Sequence, residues 1–285
     1  MPAELPLLHP DWQLPAGVAA AMSTRLGGIS AAPFSSLNLR PPGLRGDAVD
    51  AADAVNENQR RFAAALGATP VYLDQVHGAD VVLLNHADTS LPRADASVTT
   101  VPGLACTVLV ADCLPVLLCS DDGRAVAAAH AGWRGLAAGV LDNTVAALCA
   151  AAACEPAQLQ AWLGPCIGPR AFEVGVDVLR AFGANPASPD PLRFMPRARP
   201  DGSARWLANL PQLARDRLAR VGVQRVSGGD LCTVEDGSRF FSFRRDGRTG
   251  RLAAAIWRQP QDSPEHPREA VVGGRPAAPR PAARS

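Results

Sequence analysis

The sequence has almost no net charge: 28 basic against 27 acidic side chains leave +1 with histidine neutral. A chain so balanced projects no broad field to gather a polyanion, which argues against dedicated DNA or RNA binding. No secretory signal is expected either, because the opening MPAELPLLHPDWQLPAG has neither a basic start nor an unbroken apolar run. No stretch approaches the length of a membrane span without charge or turn residues, so a cytoplasmic location and no membrane partner are expected. Seven cysteines scattered from Cys106 to Cys232 are an odd set without the dense spacing of a small secreted fold. Reduced thiols are expected, at least one of them unpaired within the chain. Internal repeats, a GxxxxGK[ST] phosphate loop and the HxE…PCxxC pattern of nucleobase deaminases are all missing.

What remains is 285 residues, 47% of them hydrophobic, enough for a substantial core. Short β-prone runs alternate with helix-like segments from residue 18 to 258, which predicts one mixed α/β body with flanking helices. After Trp257 the frequent Pro, charge and small residues remove periodicity and bulk, so residues 259–285 are expected to form a disordered tail. Residues 47–66 have helix-forming composition, with Val55, Phe62 and Leu66 on one face and Gly67 as a stop. VYLDQVHG is expected as a strand presenting His77 at its polar end, and VVLLNHAD as another. CTVLVADCLPVLLC is apolar and β-branched, with Pro115 placing a bend or an edge just beyond Cys113. RAVAAAH predicts a buried strand ending at His130, AGWRG a turn, and LAAGVLDNTVAALCAA a helix. Further on, QAWLGPCIG and RVSGGDLCT suggest strands, as does RFFSFRRDG. EVGVDVLRAF and RWLANLPQLARDRLARVG look helical.

The chemistry concentrates at three strand-to-turn transitions: His77 in DQVHG, Cys113 in ADCLP and His130 in HAGWRG. Two imidazoles and a thiolate suit a tetrahedral zinc with one position open. Separations of 36 and 17 residues make no contiguous ligand motif, so three unrelated core residues, or a Cys–His nucleophile pair, explain the same letters. Asp112 next to Cys113 either satisfies local backbone donors or orients a ligand histidine. His9 and His266 are expected to face solvent, and His86 to make a local contact.

Three arginine-bearing loops are candidate anion contacts. Arg25 adjoins Gly27 and Gly28, Arg134 precedes a helix start, and Arg245 follows Phe240, Phe241 and Phe243. Flat apolar rings beside guanidinium groups can bind a purine or another aromatic substrate, and equally can be a buried strand leading into a solvated turn.

TRLGGIS, SSLNL, DQVHGADV, ADASVT, ADCLPVLL, AHAGWRG, GPCIGPRAFEVG and RFFSFRRDGRTGR, taken in order, resemble the polyphenol-oxidoreductase or laccase-like family. That family is also described as purine nucleoside phosphorylases, and a related description concerns bacterial peptidoglycan editing. The likeness runs over roughly residues 18–257. It implies that residues 1–258 are one catalytic domain whose metal ligands are His77, Cys113 and His130, with zinc as cofactor and copper the less favoured occupant. Inorganic phosphate and a purine nucleoside (adenosine, inosine or methylthioadenosine) would be cleaved to free base and sugar 1-phosphate, with adenosine deamination as a further activity.

A precursor-editing amide hydrolase and a non-catalytic metal-binding or interaction protein are the alternative functions, and no protein partner is inferred. The histidine-rich pairs of a multicopper electron-transfer assembly are absent from the sequence, and zinc has no redox couple with which to replace them. The chain departs from the family between SSLNL and NENQRR, where LRPPGLRGDAVDAADAV replaces a short glycine- and Asp-rich connection. That departure bears on the neighbouring substrate loop more than on the metal trio.

Overall fold

The computed structural model describes residues 5–44, 49–87 and 91–260. The expected tail therefore lies outside the described residues from position 261 onward, as does His266. The chain forms one α/β domain of mixed sheets flanked by helices. One large sheet contains β1 (Leu7–Leu8), β2 (Val18–Ser23), β3 (Thr69–Val71), β6 (Leu104–Val110) and β14 (Leu252–Arg258), in the order β1-β2-β14-β6-β3. The other contains β4 (Val81–Leu84), β5 (Ala96–Thr99), β7 (Leu114–Ser120), β8 (Val126–Ala131), β9 (Leu159–Leu163) and β13 (Arg225–Gly228), in the order β13-β9-β7-β8-β5-β4. A small third sheet of β10 (Glu173–Val174), β11 (Phe194–Arg197) and β12 (Arg205–Ala208) packs Val174, Phe194 and Trp206 into the core cluster on the outer face of the second.

Alternation along the strands builds the layers, because successive side chains leave a strand on opposite faces. In β6, Cys106 and Val108 enter the core between the large sheets, whereas Ala105 and Leu109 turn toward the other face. There α1 (Ala52–Leu66) covers them with Phe62 and Leu66. In β7, Leu117 and Cys119 meet that inter-sheet core, while Val116 and Leu118 join Leu141, Val145 and Leu148 of α3 (Val140–Ala152). Leu179 of α4 (Val176–Ala181) and Leu213 and Leu218 of α5 (Leu210–Arg220) extend the same outer cluster. Helix α1 ends where Gly67 takes φ 64°, the left-handed geometry its sequence signalled.

Several expected elements differ. Only Thr69–Val71 of the segment leading to His77 is strand, and the rest is irregular. Pro115 makes no edge: β7 pairs with both β8 and β9, with the proline at its second position opposite His130. The bend lies instead at residues 111–113, where the chain leaves one sheet and enters the other. AGWRG is not a turn before the helix, since α2 (Trp133–Ala138) already begins at Trp133; Gly139, at φ 99°, then separates it from α3. RWLA is strand β12 before α5, because Pro211 in the first turn and the Asn209 cap start the helix late. RFFSFRRDG contains no strand, only the single turn α6 (Phe243–Asp246).

Candidate metal centre

Cys113 follows Asp112 at the crossover between the sheets, and Asp112 has φ 103°. The chain can hold that conformation because both Asp112 carboxylate oxygens are engaged. One accepts from Thr233 Oγ1 at 2.6 Å and the other from the Arg244 amide at 2.6 Å. Asp112 therefore fixes the loop of Cys113 and hydrogen-bonds to neither imidazole.

The residue that organises the histidines is Asp95, just before β5 and fully buried. Its carboxylate accepts from the backbone N–H groups of Val76 at 3.1 Å, His77 at 2.9 Å and Gly78 at 2.7 Å. These bonds replace a sheet partner and hold His77 at φ 60°, turned out of the extended chain. The same carboxylate lies 2.8 Å from His130 Nδ1, and the Asp95 carbonyl accepts from the His130 amide at 2.7 Å. Burial works to raise the Asp95 carboxyl, but the His130 contact and the loop amides outweigh it and hold the group below its ordinary value. An ionised carboxylate only accepts, so Nδ1 carries the proton and Nε2 of His130 faces the site as a donor atom. ADASVT showed only an Asp opening an apolar strand, and nothing local said which distant residue it would meet.

One donor atom each from His77, Cys113 and His130 lies within 4.8 Å of the others, and Cys113 Sγ is 3.7 Å from His77 Nε2. The imidazoles meet edge to face with ring centroids 4.8 Å apart. Burial would push the Cys113 thiol up, yet His130 and His77 pull it down to about 6, so it is a thiolate at neutral pH. Burial likewise opposes charge on His130, but Cys113 and Asp95 prevail and bring it to about 9. Gly132 closes the site from behind: a Cβ there would fall 3.0 Å from Cys113 Sγ and 3.1 Å from His77 Cδ2. Two imidazoles and a soft thiolate, one ligand oriented by a carboxylate, form a set that fits zinc or another thiophilic metal ion.

The cluster forms one wall of a cavity of about 480 Å³, also lined by Trp133, Phe172, Phe243, Arg134, Arg244 and Arg251. Of the arginines expected as anion contacts, only Arg134 reaches it, stacked on Trp133 at 4.4 Å. Arg25 instead donates to the carbonyls of Ser35 and Gly237 and lies on Phe241. Arg245 clamps the carbonyls of Thr233, Val234 and Phe240 and pairs with Asp246. Both are loop fasteners that need a cation's reach for backbone oxygens.

The sequence shows Arg244 beside Arg245 among the phenylalanines but does not mark it as an anion contact, and it does not single out Arg251. Arg251 meets the carbonyls of Thr249 and Gly250, and among the described residues no carboxylate pairs with it. Burial first, and then the charge of Arg40, push its guanidinium below the ordinary value. His9 and His86 are exposed and outside the cluster.

Residues 19–259 match the family model described as multi-copper polyphenol oxidoreductase laccase, and the chain belongs to that family. It is 51% identical over 253 residues to "Purine nucleoside phosphorylase PA4543" of Pseudomonas aeruginosa, covering 88% of this chain and 98% of that one. It is 49% identical to "Purine nucleoside phosphorylase YfiH" of Escherichia coli K12, with the same coverage. The crystal structure of Neisseria meningitidis protein NMB0706 is similar with TM-score 0.78 and 44% identity, over 89% of this chain and 99% of that one.

Proposed function

We propose that the chain is a zinc-dependent purine nucleoside phosphorylase, cleaving adenosine, inosine or methylthioadenosine with inorganic phosphate to free base and sugar 1-phosphate. Adenosine deamination is a second activity proposed for the same site. The observation that carries the reading is the placement in one cavity of a metal-competent thiolate–imidazole cluster and of Arg251, which pairs with no carboxylate among the described residues. The relatives' names supply the reaction class.

Zinc bound by His77, Cys113 and His130 would supply Lewis acidity and lower the pKa of water at its open position. In phosphorolysis a phosphate oxygen forms a bond to C1′ of the ribose, while the C1′–N9 bond breaks and its electron pair leaves on the base. Arg251, with Arg134 and Arg244 on the same walls, offsets the phosphate charge and holds the anion against the sugar. Asp95 keeps the His130 ring in one tautomer throughout. The apolar part of the lining excludes competing water from C1′.

Apoprotein reconstituted with zinc should release free base and sugar 1-phosphate from at least one of the three nucleosides, only when phosphate is present. Ammonia release from adenosine without phosphate is the result expected of the second activity, and ammonia release with no sugar 1-phosphate from any of the three nucleosides would assign deamination in place of phosphorolysis. Release of an amino acid from a cell-wall nucleotide, with no nucleoside turnover, would overturn the reading in favour of precursor editing.

A further inference from the structure

We infer that Phe243 is the platform on which the purine base stacks, which makes it a specificity-determining residue of the cavity; this rests on the phosphorylase reading above. Phe243 is 59% exposed, whereas Phe240 and Phe241 just before it are fully buried. A large ring left open to water costs favourable burial unless something covers it in use. It also lies on the lining of the cavity that holds the metal-competent cluster.

The other rings nearby are already covered. Arg134 lies over Trp133 at 4.4 Å, and Arg244 over Phe172 at 5.6 Å. Away from the cavity, Arg25, Arg239 and Arg248 cover Phe241, Phe240 and Phe34. Among the described residues no guanidinium and no second ring stacks on Phe243. Its face is therefore available to a flat ligand, and a purine presents a flat π face of matching chemistry.

The backbone that carries the ring is also held in place. Phe243 opens α6, whose cap Ser242 accepts from the Arg245 amide at 3.2 Å. The Phe243 amide reaches the Ala111 carbonyl at 3.5 Å, and the next amide, of Arg244, donates to Asp112. Both contacts fall on the two residues before Cys113. The segment of the platform and that of the thiolate ligand are thus tied together, and both line the same cavity. Asp112 acts here as a positioning residue, joining the two.

Calorimetric titration of zinc-loaded protein with inosine, and separately with ribose 1-phosphate, tests the assignment. Stacking on an aromatic ring is worth enough that Phe243→Leu should weaken inosine binding about 5- to 150-fold. Ribose 1-phosphate, which has no base, should bind Phe243→Leu as it binds the parent protein, and zinc content should not change. Phe243→Tyr, which keeps the flat face, should restore inosine affinity and so separates loss of stacking from a disturbed loop. Unchanged inosine affinity in Phe243→Leu, or an equal loss for both ligands, overturns the inference while leaving the phosphorylase reading intact. Failure of the parent protein to bind inosine, adenosine and methylthioadenosine alike defeats that reading and this one with it.

Discussion

Asp95 gathers four donors at once: three successive amides of the His77 loop and the Nδ1 proton of His130. It places two of the three metal-competent side chains, one through its backbone and one through its ring. Asp95→Asn keeps the size but turns an NH₂ group toward donors, so zinc affinity in a competition titration should fall about 10- to 100-fold. An unchanged affinity would deny Asp95 its orienting role.

The ionisation of Cys113 makes a second residue-scale prediction. Its thiol sits at about 6 against an ordinary 9.0, so the thiolate is present above that pH and is lost as pH falls through about 6. Alkylation of Cys113 in metal-free protein should therefore be half-maximal near pH 6, whereas a midpoint near 9 would show that the imidazoles do not act on the sulfur. His130, at about 9, remains protonated at neutral pH in that state, and metal binding should release its proton.

At the scale of elements, the site depends on two glycines, Gly132 between β8 and α2 and Gly135 inside α2. Gly135 packs so closely that a Cβ would lie 2.6 Å from the Gly78 carbonyl, tying α2 to the His77 loop. Gly132→Ala should press on Cys113 and His77 and lower zinc affinity with little change in melting temperature, because the intrusion falls in the site. Gly135→Ala meets backbone, which cannot swing aside, so it should lower the melting temperature as well. Thermal melts beside metal titrations of the two variants check the contrast, and equal behaviour would contradict it.

These same elements show what was legible in the letters. The strand ending at His130 and helix α1 with its Gly67 stop follow from local pattern, and the trio itself was visible at three chain turns. Asp95, Arg244 and Arg251 were not, because each owes its place to partners far away in sequence. The segment before His77 looked like a strand since its letters alternate, but a buried carboxylate took the amides that a sheet would have used.

For the whole molecule, the two large sheets close their shared core at β14, with Ile256 between them and Trp257 beneath α1. Nothing in the described core requires residues beyond 260, so a chain ended after Pro260 should melt at the temperature of the full chain. A lower melting point would give the remaining segment a structural part.

The near-zero net charge is consistent with this architecture, since Arg134, Arg244 and Arg251 line the one cavity that holds the cluster and give it a local positive charge without a broad field. The central claim is that the His77–Cys113–His130 cluster holds a metal required for phosphorolysis. Titrating zinc into metal-free protein with inosine and phosphate, while measuring ribose 1-phosphate, tests it most directly. The expected result is product formation that rises to a plateau at one zinc per chain and is abolished by Cys113→Ala or by omitting phosphate. Turnover independent of zinc, or full zinc binding without turnover of inosine, adenosine or methylthioadenosine, would contradict it.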